Sequence, residues 1–221
     1  DNQPGSIEAS IEAVYRAANI AQTSPKGPVY VCFDVTIQEE KINNTITLPS
    51  YEKFMQIGNQ FPSQEDIIKA KKILLKAKKP IIFYGRVSRS KNDWKNRILL
   101  AEKLGATVFT DRKNGASFPT NHKLHSFPPL QFLSPKEIEF IKKSDVIISL
   151  DWVDLAGTIS QVWNKKIGAK IINVSLDNFV HNGWSMDHQG FPASDLRIYS
   201  TSDSFISILL KNLQKKSNNY V

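Results

Sequence analysis

Residues 78–90 read KKPIIFYGRVSRS, and this stretch decides the class of fold. The run from Pro80 to Tyr84 is apolar, short and rich in β-branched and aromatic residues, which predicts a buried strand. Gly85 ends the run, and the patterns before and after it, over 63–78 and 92–104, repeat at helical spacing. A helix, a strand and a second helix in this order indicate one unit of an alternating α/β fold.

The same alternation continues to the end of the chain. The predicted strands are 80–84, 106–110, 145–150, 169–176 and 197–201, and the predicted helices are 63–78, 92–104, 135–143, 155–164 and 204–216. The strands lack an apolar-polar alternation, as expected when helices cover both faces of a sheet. We therefore predict an α/β fold, a Rossmann-like doubly wound parallel sheet of about five or six strands.

The N-terminal part has a different organisation. Residues 6–23 have apolar positions at helical spacing behind a Ser6 cap, which predicts a helix. The apolar run 28–35 predicts a further strand, with Cys32 as a small buried residue. Residues 37–62 show no sustained periodicity and indicate a linker. We expect the chain to divide there.

Composition limits the classes of function. The chain has 221 residues, 41% of them hydrophobic, and a formal net charge of +8. Its lysines are scattered along helix faces without interleaved aromatic residues, so we expect no nucleic-acid partner. No apolar run approaches the roughly 20 residues that span a bilayer, so we expect no membrane partner. The single cysteine fits a reducing, cytoplasmic location.

Ligands of parallel α/β sheets bind at the carboxyl ends of the strands. The candidate binding residues at these ends are Gly85, Arg86, Asp111, Arg112, Asp151, Trp152 and Asp177. A glycine lets backbone approach a phosphate, and an arginine pairs with one; an ordinary turn with a solvated arginine has the same sequence. The aspartates could bond a ribose hydroxyl or cap the next turn or helix.

Residues that catalyse or bind metal are not indicated. His122, His125, His181 and His188, together with Asp187, are the residues to weigh as metal ligands. The spacing of His122 and His125 is feasible, but no third ligand has a convincing position. The sequence contains no nucleophile-elbow motif of a hydrolase. We therefore predict no metal site and no catalytic residue in this chain.

Four segments carry a resemblance to a known family. AVYRAANIAQTSPKGPVYVCFDV (13–35) resembles the end of the pyrimidine-binding domain of thiamine-diphosphate-dependent enzymes. IIKAKKILLKAKKPIIFYGRVSR (67–89), LAEKLGATVFTDRKNGASFPTNH (100–122) and SDVIISLDWVD (144–154) resemble the central domain of the same enzymes. Their order is that of the family, and together they resemble the acetolactate synthase-like group.

The resemblance implies that this chain is a fragment. Residues 1–36 would end the pyrimidine-binding domain, 37–62 would be a linker, and 63–221 would be the central domain. The parent would be a transferase or lyase, a 2-oxo acid carboligase or decarboxylase that uses thiamine diphosphate and magnesium and forms a homodimer or homotetramer. The activating glutamate and the Gly-Asp-Gly motif of the family are absent from these 221 residues. The fragment would then not bind thiamine diphosphate and would be inactive without the missing pyrimidine- and diphosphate-binding domains.

The alternative is a stand-alone nucleotide-binding or regulatory module of Rossmann-like fold. In a self-sufficient domain, the strand predicted at 28–35 should join the main sheet. In a fragment it would lie at an edge, pack irregularly or pair with another copy.

The central domain of this family holds FAD, an adenine nucleotide or nothing. Members that bind FAD often have two or three glycines in the first turn, where this chain has only Gly85 before the bulky Arg86. Arg86 either clamps a phosphate or fills the space that a flavin needs. FAD or ADP stays possible, and we favour an empty or non-flavin pocket.

Overall fold

The chain folds into two units, Asp1–Asn59 and Gln60–Val221, in a computed structural model. The structure describes residues 4–42, 45–55, 57–129, 132–164, 166–177, 188 and 190–214. The boundary between the units, after Asn59, falls inside the predicted linker. Which domain of the family each unit corresponds to stays a prediction.

The first unit contains three helices, α1 (Ile7–Gln22), α2 (Val35–Glu39) and α3 (Tyr51–Phe54). α1 confirms the predicted N-terminal helix, and the Ser6 hydroxyl accepts a hydrogen bond from the Ala9 N–H, as a cap does. Tyr15 of α1 stacks on Phe54 of α3 with ring centres 5.1 Å apart. The two short helices α2 and α3 lie in the segment that was predicted to be irregular, because four or five residues give too weak a periodicity to detect.

The predicted strand at 28–35 is wrong. Residues 28–34 form neither strand nor helix and pair with no strand among the residues that the structure describes, and α2 begins at Val35 with Asp34 as its cap. Tyr30 is 86% exposed, and Cys32 is exposed, so its predicted burial is wrong as well. The physical reason is that a strand needs a neighbour to satisfy its backbone groups and cover its side chains.

The second unit is built on a five-stranded parallel sheet. Its strands are β1 (Pro80–Tyr84), β2 (Thr107–Thr110), β3 (Val146–Leu150), β4 (Lys170–Val174) and β5 (Leu196–Ile198), in the spatial order β2-β1-β3-β4-β5. The register of β1 places Ile82 beside Val108 of β2 and Ile148 of β3. This sheet confirms the predicted fold class.

Helices cover both faces of the sheet. They are α4 (Gln64–Leu74), α5 (Lys91–Leu104), α6 (Pro135–Lys142), α7 (Leu155–Val162) and α8 (Ser202–Gln214). Ile82 and Tyr84 of β1 pack into one apolar cluster with residues of α4, α5 and α8. Ile81 and Phe83 point the other way, into a second cluster with residues of α6 and α7. This two-sided burial explains why β1 is apolar at every position.

Serine hydroxyls cap two of these helices. The Ser63 hydroxyl accepts a hydrogen bond from the Asp66 N–H, and the Ser90 hydroxyl accepts one from the Asp93 N–H. Gly105 ends α5 in the left-handed region, with φ of 58°. No helix within the described ranges is both long and apolar enough to cross a membrane.

Candidate functional site

Gly85 lies where the end of β1 passes closest to the end of β3. A Cβ atom at this position would lie 2.0 Å from the backbone oxygen of Asp151, far inside van der Waals contact. The Gly85 N–H donates to the Leu150 carbonyl at 3.0 Å, and the Arg86 N–H donates to the Asp151 carbonyl at 3.0 Å. The contact between these two strand ends therefore requires glycine, whether or not a phosphate binds.

The Arg86 side chain is held by two carboxylates. Its Nε and Nη2 atoms each donate to one oxygen of Asp151 at 2.9 Å, which is a bidentate ion pair. Nη2 also donates to the Asp177 carboxylate. These residues follow β1, β3 and β4, three adjacent strands of the sheet. The group formed by Gly85, Arg86, Asp151 and Asp177 is called the arginine cluster below.

Asp151 is fixed by more than the ion pair. The Ser175 hydroxyl donates to its carboxylate at 2.6 Å, and its own N–H donates to the Val174 carbonyl at 2.8 Å. Its backbone lies in the left-handed region, with φ of 56°, which is uncommon for a residue other than glycine. Burial raises the pKa of Asp151 above its usual value, and the Arg86 guanidinium offsets only part of this effect.

Two residues that contact the arginine cluster were not predicted from the sequence. Ser175 bridges the strand ends, since its hydroxyl bonds Asp151 and accepts the Asp177 N–H at 3.0 Å. The Arg197 guanidinium of β5 donates to the Asp177 carbonyl. A serine two residues before an aspartate is a known turn signal, so Ser175 was detectable. Arg197 was not, because its partner lies across the sheet.

The other predicted residues do not join the arginine cluster. Asp111 and Trp152 line a separate cavity of about 380 Å³, together with Lys113, Asp154, Thr158 and His188. Arg112 is exposed and lines neither this cavity nor the arginine cluster. The sequence placed all seven candidate residues at one edge of the sheet. The structure divides them between the arginine cluster, the cavity that contains Asp111, and the surface.

Asp154 occupies the amino end of α7 in this cavity. Its carboxylate accepts from the Gly157 N–H and from the His188 N–H, both at 3.0 Å. The Trp152 indole N–H donates to the Thr158 hydroxyl at 2.8 Å. The positive end of the helix is thus already paired with a carboxylate of the chain itself.

The described residues offer no cluster of side chains for the magnesium ion that accompanies thiamine diphosphate. No group of three or more His, Cys, Asp or Glu side chains among them could hold a metal ion. His125 is buried and bonds the Thr110 hydroxyl at 2.9 Å. His181 and Asp187, which were weighed as metal ligands, lie outside the described residues.

Known proteins resemble this chain in sequence and in fold. Residues 67–182, more than half of the chain, match the family model described as thiamine pyrophosphate enzyme, central domain. The acetolactate synthase large subunit of Corynebacterium glutamicum is 25% identical over 143 residues, which cover 63% of this chain and 22% of that protein.

Two solved structures have the same fold over 96% of this chain and 38% of theirs. One is a protein of Mycobacterium smegmatis described as a thiamin diphosphate-dependent enzyme, with a TM-score of 0.69 and 17% identity. The other is benzoylformate decarboxylase of Polynucleobacter necessarius, with a TM-score of 0.68 and 22% identity. The chain thus spans about a fifth to two fifths of the length of these relatives. By the family match over residues 67–182, the chain belongs to the thiamine pyrophosphate enzymes and contains their central domain.

Proposed function

We propose that this chain is part of a thiamine-diphosphate-dependent carboligase or decarboxylase that acts on a 2-oxo acid. The observation that carries the proposal is the family match over 67–182, from α4 past the end of β4. The relatedness to an acetolactate synthase large subunit supports the substrate class. The cofactor, when bound, would supply an electron sink for the keto carbon of the 2-oxo acid.

In this proposal the described residues support the fold and take no part in the reaction. Ion pairs join the residues that follow β1, β3 and β4, and no group of described side chains could hold a metal ion. The catalytic groups would come from the pyrimidine- and diphosphate-binding domains of a homodimeric or homotetrameric cytoplasmic enzyme. The chain alone would then be inactive.

The exposed segment 28–33 favours this proposal over a stand-alone module. Four large apolar side chains in or next to it are exposed, namely Val29, Tyr30, Phe33 and Val35. A contiguous apolar surface of this kind marks a face that another part of a protein covers. The stand-alone alternative expected this segment in the main sheet, and β1–β5 do not include it.

We also propose that the turn after β1 does not hold the diphosphate of FAD or ADP. Arg86 is paired with two carboxylates, so the three side chains together carry a net negative charge. A diphosphate would have to displace a carboxylate from a bidentate pair and would be repelled by the one it displaced.

The experiment that tests the main proposal compares the 221-residue chain with the full-length gene product. The full-length sequence should contain a glutamate before this chain and a Gly-Asp-Gly motif after it, and its product should release carbon dioxide from pyruvate or benzoylformate with thiamine diphosphate and Mg²⁺. The chain alone should release none. A full-length product without either motif, or without activity on any 2-oxo acid, contradicts the proposal.

The same chain tests the nucleotide proposal. Titration with FAD should leave the flavin absorbance spectrum unchanged up to high micromolar concentrations. Saturable FAD binding that is lost in Arg86→Ala would show that the arginine clamps a phosphate after all.

A further inference from the structure

A second cavity, of about 400 Å³, lies beside the first turns of α5. Four basic residues line it, Arg89, Lys91, Lys95 and Arg97, together with Trp94, and none of the acidic residues that the structure describes does. We propose that this cavity binds a small organic anion, a carboxylate or a phosphate monoester that carries a flat apolar group. Its volume falls within the roughly 300–1,000 Å³ usual for small-molecule sites.

Two of the four cations are uncommitted. Within the described residues, Lys91 and Lys95 have no hydrogen bond or ion pair. They are four residues apart on α5, so their ammonium groups lie on the same face of the helix and repel each other. An anion between them would remove that repulsion and gain two charge-assisted contacts.

The other two cations are fixed by the protein. Arg97 is 1% exposed; its Nη1 donates to Asp203 at 2.7 Å and its Nη2 to the Ser88 carbonyl at 3.3 Å. Its Nε is buried without a hydrogen-bond partner among the described residues. Arg89 donates to the Gly115 carbonyl. The Arg97–Asp203 ion pair is neutral overall, so of these two guanidinium groups Arg89, which bonds an uncharged carbonyl, adds net positive charge at the cavity.

The nearby carboxylates are already engaged. Asp203 accepts from Arg97 and from the Ser88 N–H at 2.7 Å, and Asp93 accepts from the Ser88 hydroxyl at 2.7 Å. The amino end of α5 is capped by the neutral hydroxyl of Ser90. Asp93, however, lies in the first turn of α5, so its carboxylate offsets the positive end of the helix dipole, and the attraction for an anion comes from Lys91, Lys95 and Arg89.

Trp94 provides the apolar wall of the cavity. Its ring lies 5.8 Å from the Arg97 guanidinium carbon and is only half-buried. The exposed part of an indole ring is a good surface for a flat apolar group. The cavity that contains Asp111 has the opposite character, since two carboxylates line it and one of them caps α7.

The test is a titration of the 221-residue chain with phenyl phosphate and with benzoate in low-salt buffer. Inorganic phosphate and acetate present the charge alone, and benzamide presents the ring alone. We expect saturable binding of at least one aromatic anion by calorimetry, with a dissociation constant below about 1 mM, and weaker binding at higher salt. Which of the two binds better separates phosphate from carboxylate recognition.

The double variant Lys91→Ala/Lys95→Ala should raise that dissociation constant at least about tenfold. Lys103→Ala, in the last turn of the same helix, is the matched control and should leave it unchanged. Circular dichroism checks that both variants are folded. Absence of saturable binding by both aromatic anions up to about 10 mM, or equal losses in the double variant and in the control, overturns the proposal.

This inference is independent of the proposed function. Neither lysine belongs to the arginine cluster, so binding that depends on Lys91 and Lys95 would persist if the chain came from a different enzyme. Binding that is lost in Arg86→Ala instead would place the anion at the sheet edge and refute the inference.

Discussion

Residues 28–33, PVYVCF, and strand β1, PIIFY, have almost the same kind of sequence. Both begin with a proline and continue with β-branched and aromatic residues, and both predict a strand. β1 pairs with β2 and β3, and all five of its residues are buried. Residues 28–33 pair with nothing that the structure describes, and Tyr30 is 86% exposed.

The difference shows that strand propensity is a conditional signal. An apolar, β-branched sequence fits a pleated, buried surface, but it becomes a strand only when a neighbour supplies hydrogen bonds and cover. β1 receives both from within its own unit. The segment 28–33 receives neither, and in the proposed function another domain of the protein would supply them.

The largest difference in the free energy of unfolding is expected from replacing one glycine next to each segment. Gly85→Ala places a Cβ atom 2.0 Å from the Asp151 carbonyl oxygen, so we expect a loss of about 4 kcal/mol or more in the free energy of unfolding. Gly27→Ala meets no heavy atom within 4 Å and should change it by less than about 0.5 kcal/mol. Urea unfolding followed by circular dichroism measures both. Equally small losses of stability in the two variants would mean that the ends of β1 and β3 can move apart to make room for the Cβ atom.

A smaller effect is expected from matched truncations inside the two segments. Ile82 is fully buried between two helical layers, so Ile82→Ala should cost about 3 kcal/mol. Val29 is exposed, so Val29→Ala should cost less than about 0.5 kcal/mol. The midpoints of urea unfolding give both values. A large cost at Val29 would indicate that the segment is covered in solution, for example by a second copy of the chain.

Thiol labelling does not depend on a change in stability and measures directly how accessible the segment is. Cys32 is the only cysteine, so a maleimide reports on its segment alone. We expect the folded chain to react at a rate within about twofold of that in urea, since the thiol is exposed. The control is Ser149→Cys in a Cys32→Ser background, because Ser149 is fully buried in β3. It should react only on unfolding.

Labelling also connects the comparison to the proposed function. In the full-length gene product, Cys32 should react much more slowly than in this chain, because the proposed domain would cover the segment. Equal rates in both proteins would contradict the proposed cover. Rapid labelling of the buried control would instead show that β3 opens readily.

Much of the second unit could be predicted from its sequence. β1 has the predicted bounds, and in the first unit α1 has the predicted Ser6 cap. These signals are local: a cap depends on residues three apart, and a strand with two covered faces is apolar at every position. The candidate site was less predictable. Its residues were placed at the correct strand ends, but their division between the arginine cluster, a cavity and the surface depends on how the ends approach one another.

The sequence by itself determined the order of strands and helices in the second unit, the parallel doubly wound fold and the resemblance to the family, because these depend on periodicity and on residues close together in the chain. Only the tertiary structure decided the state of Arg86, whose carboxylate partners lie 65 and 91 residues further along the chain. It also showed that Gly85 is required by the backbone of β3, and that residues 28–33 remain unpaired. The physical reason is that ion pairs, close backbone contacts and strand pairing all depend on which distant segments the crossovers bring together.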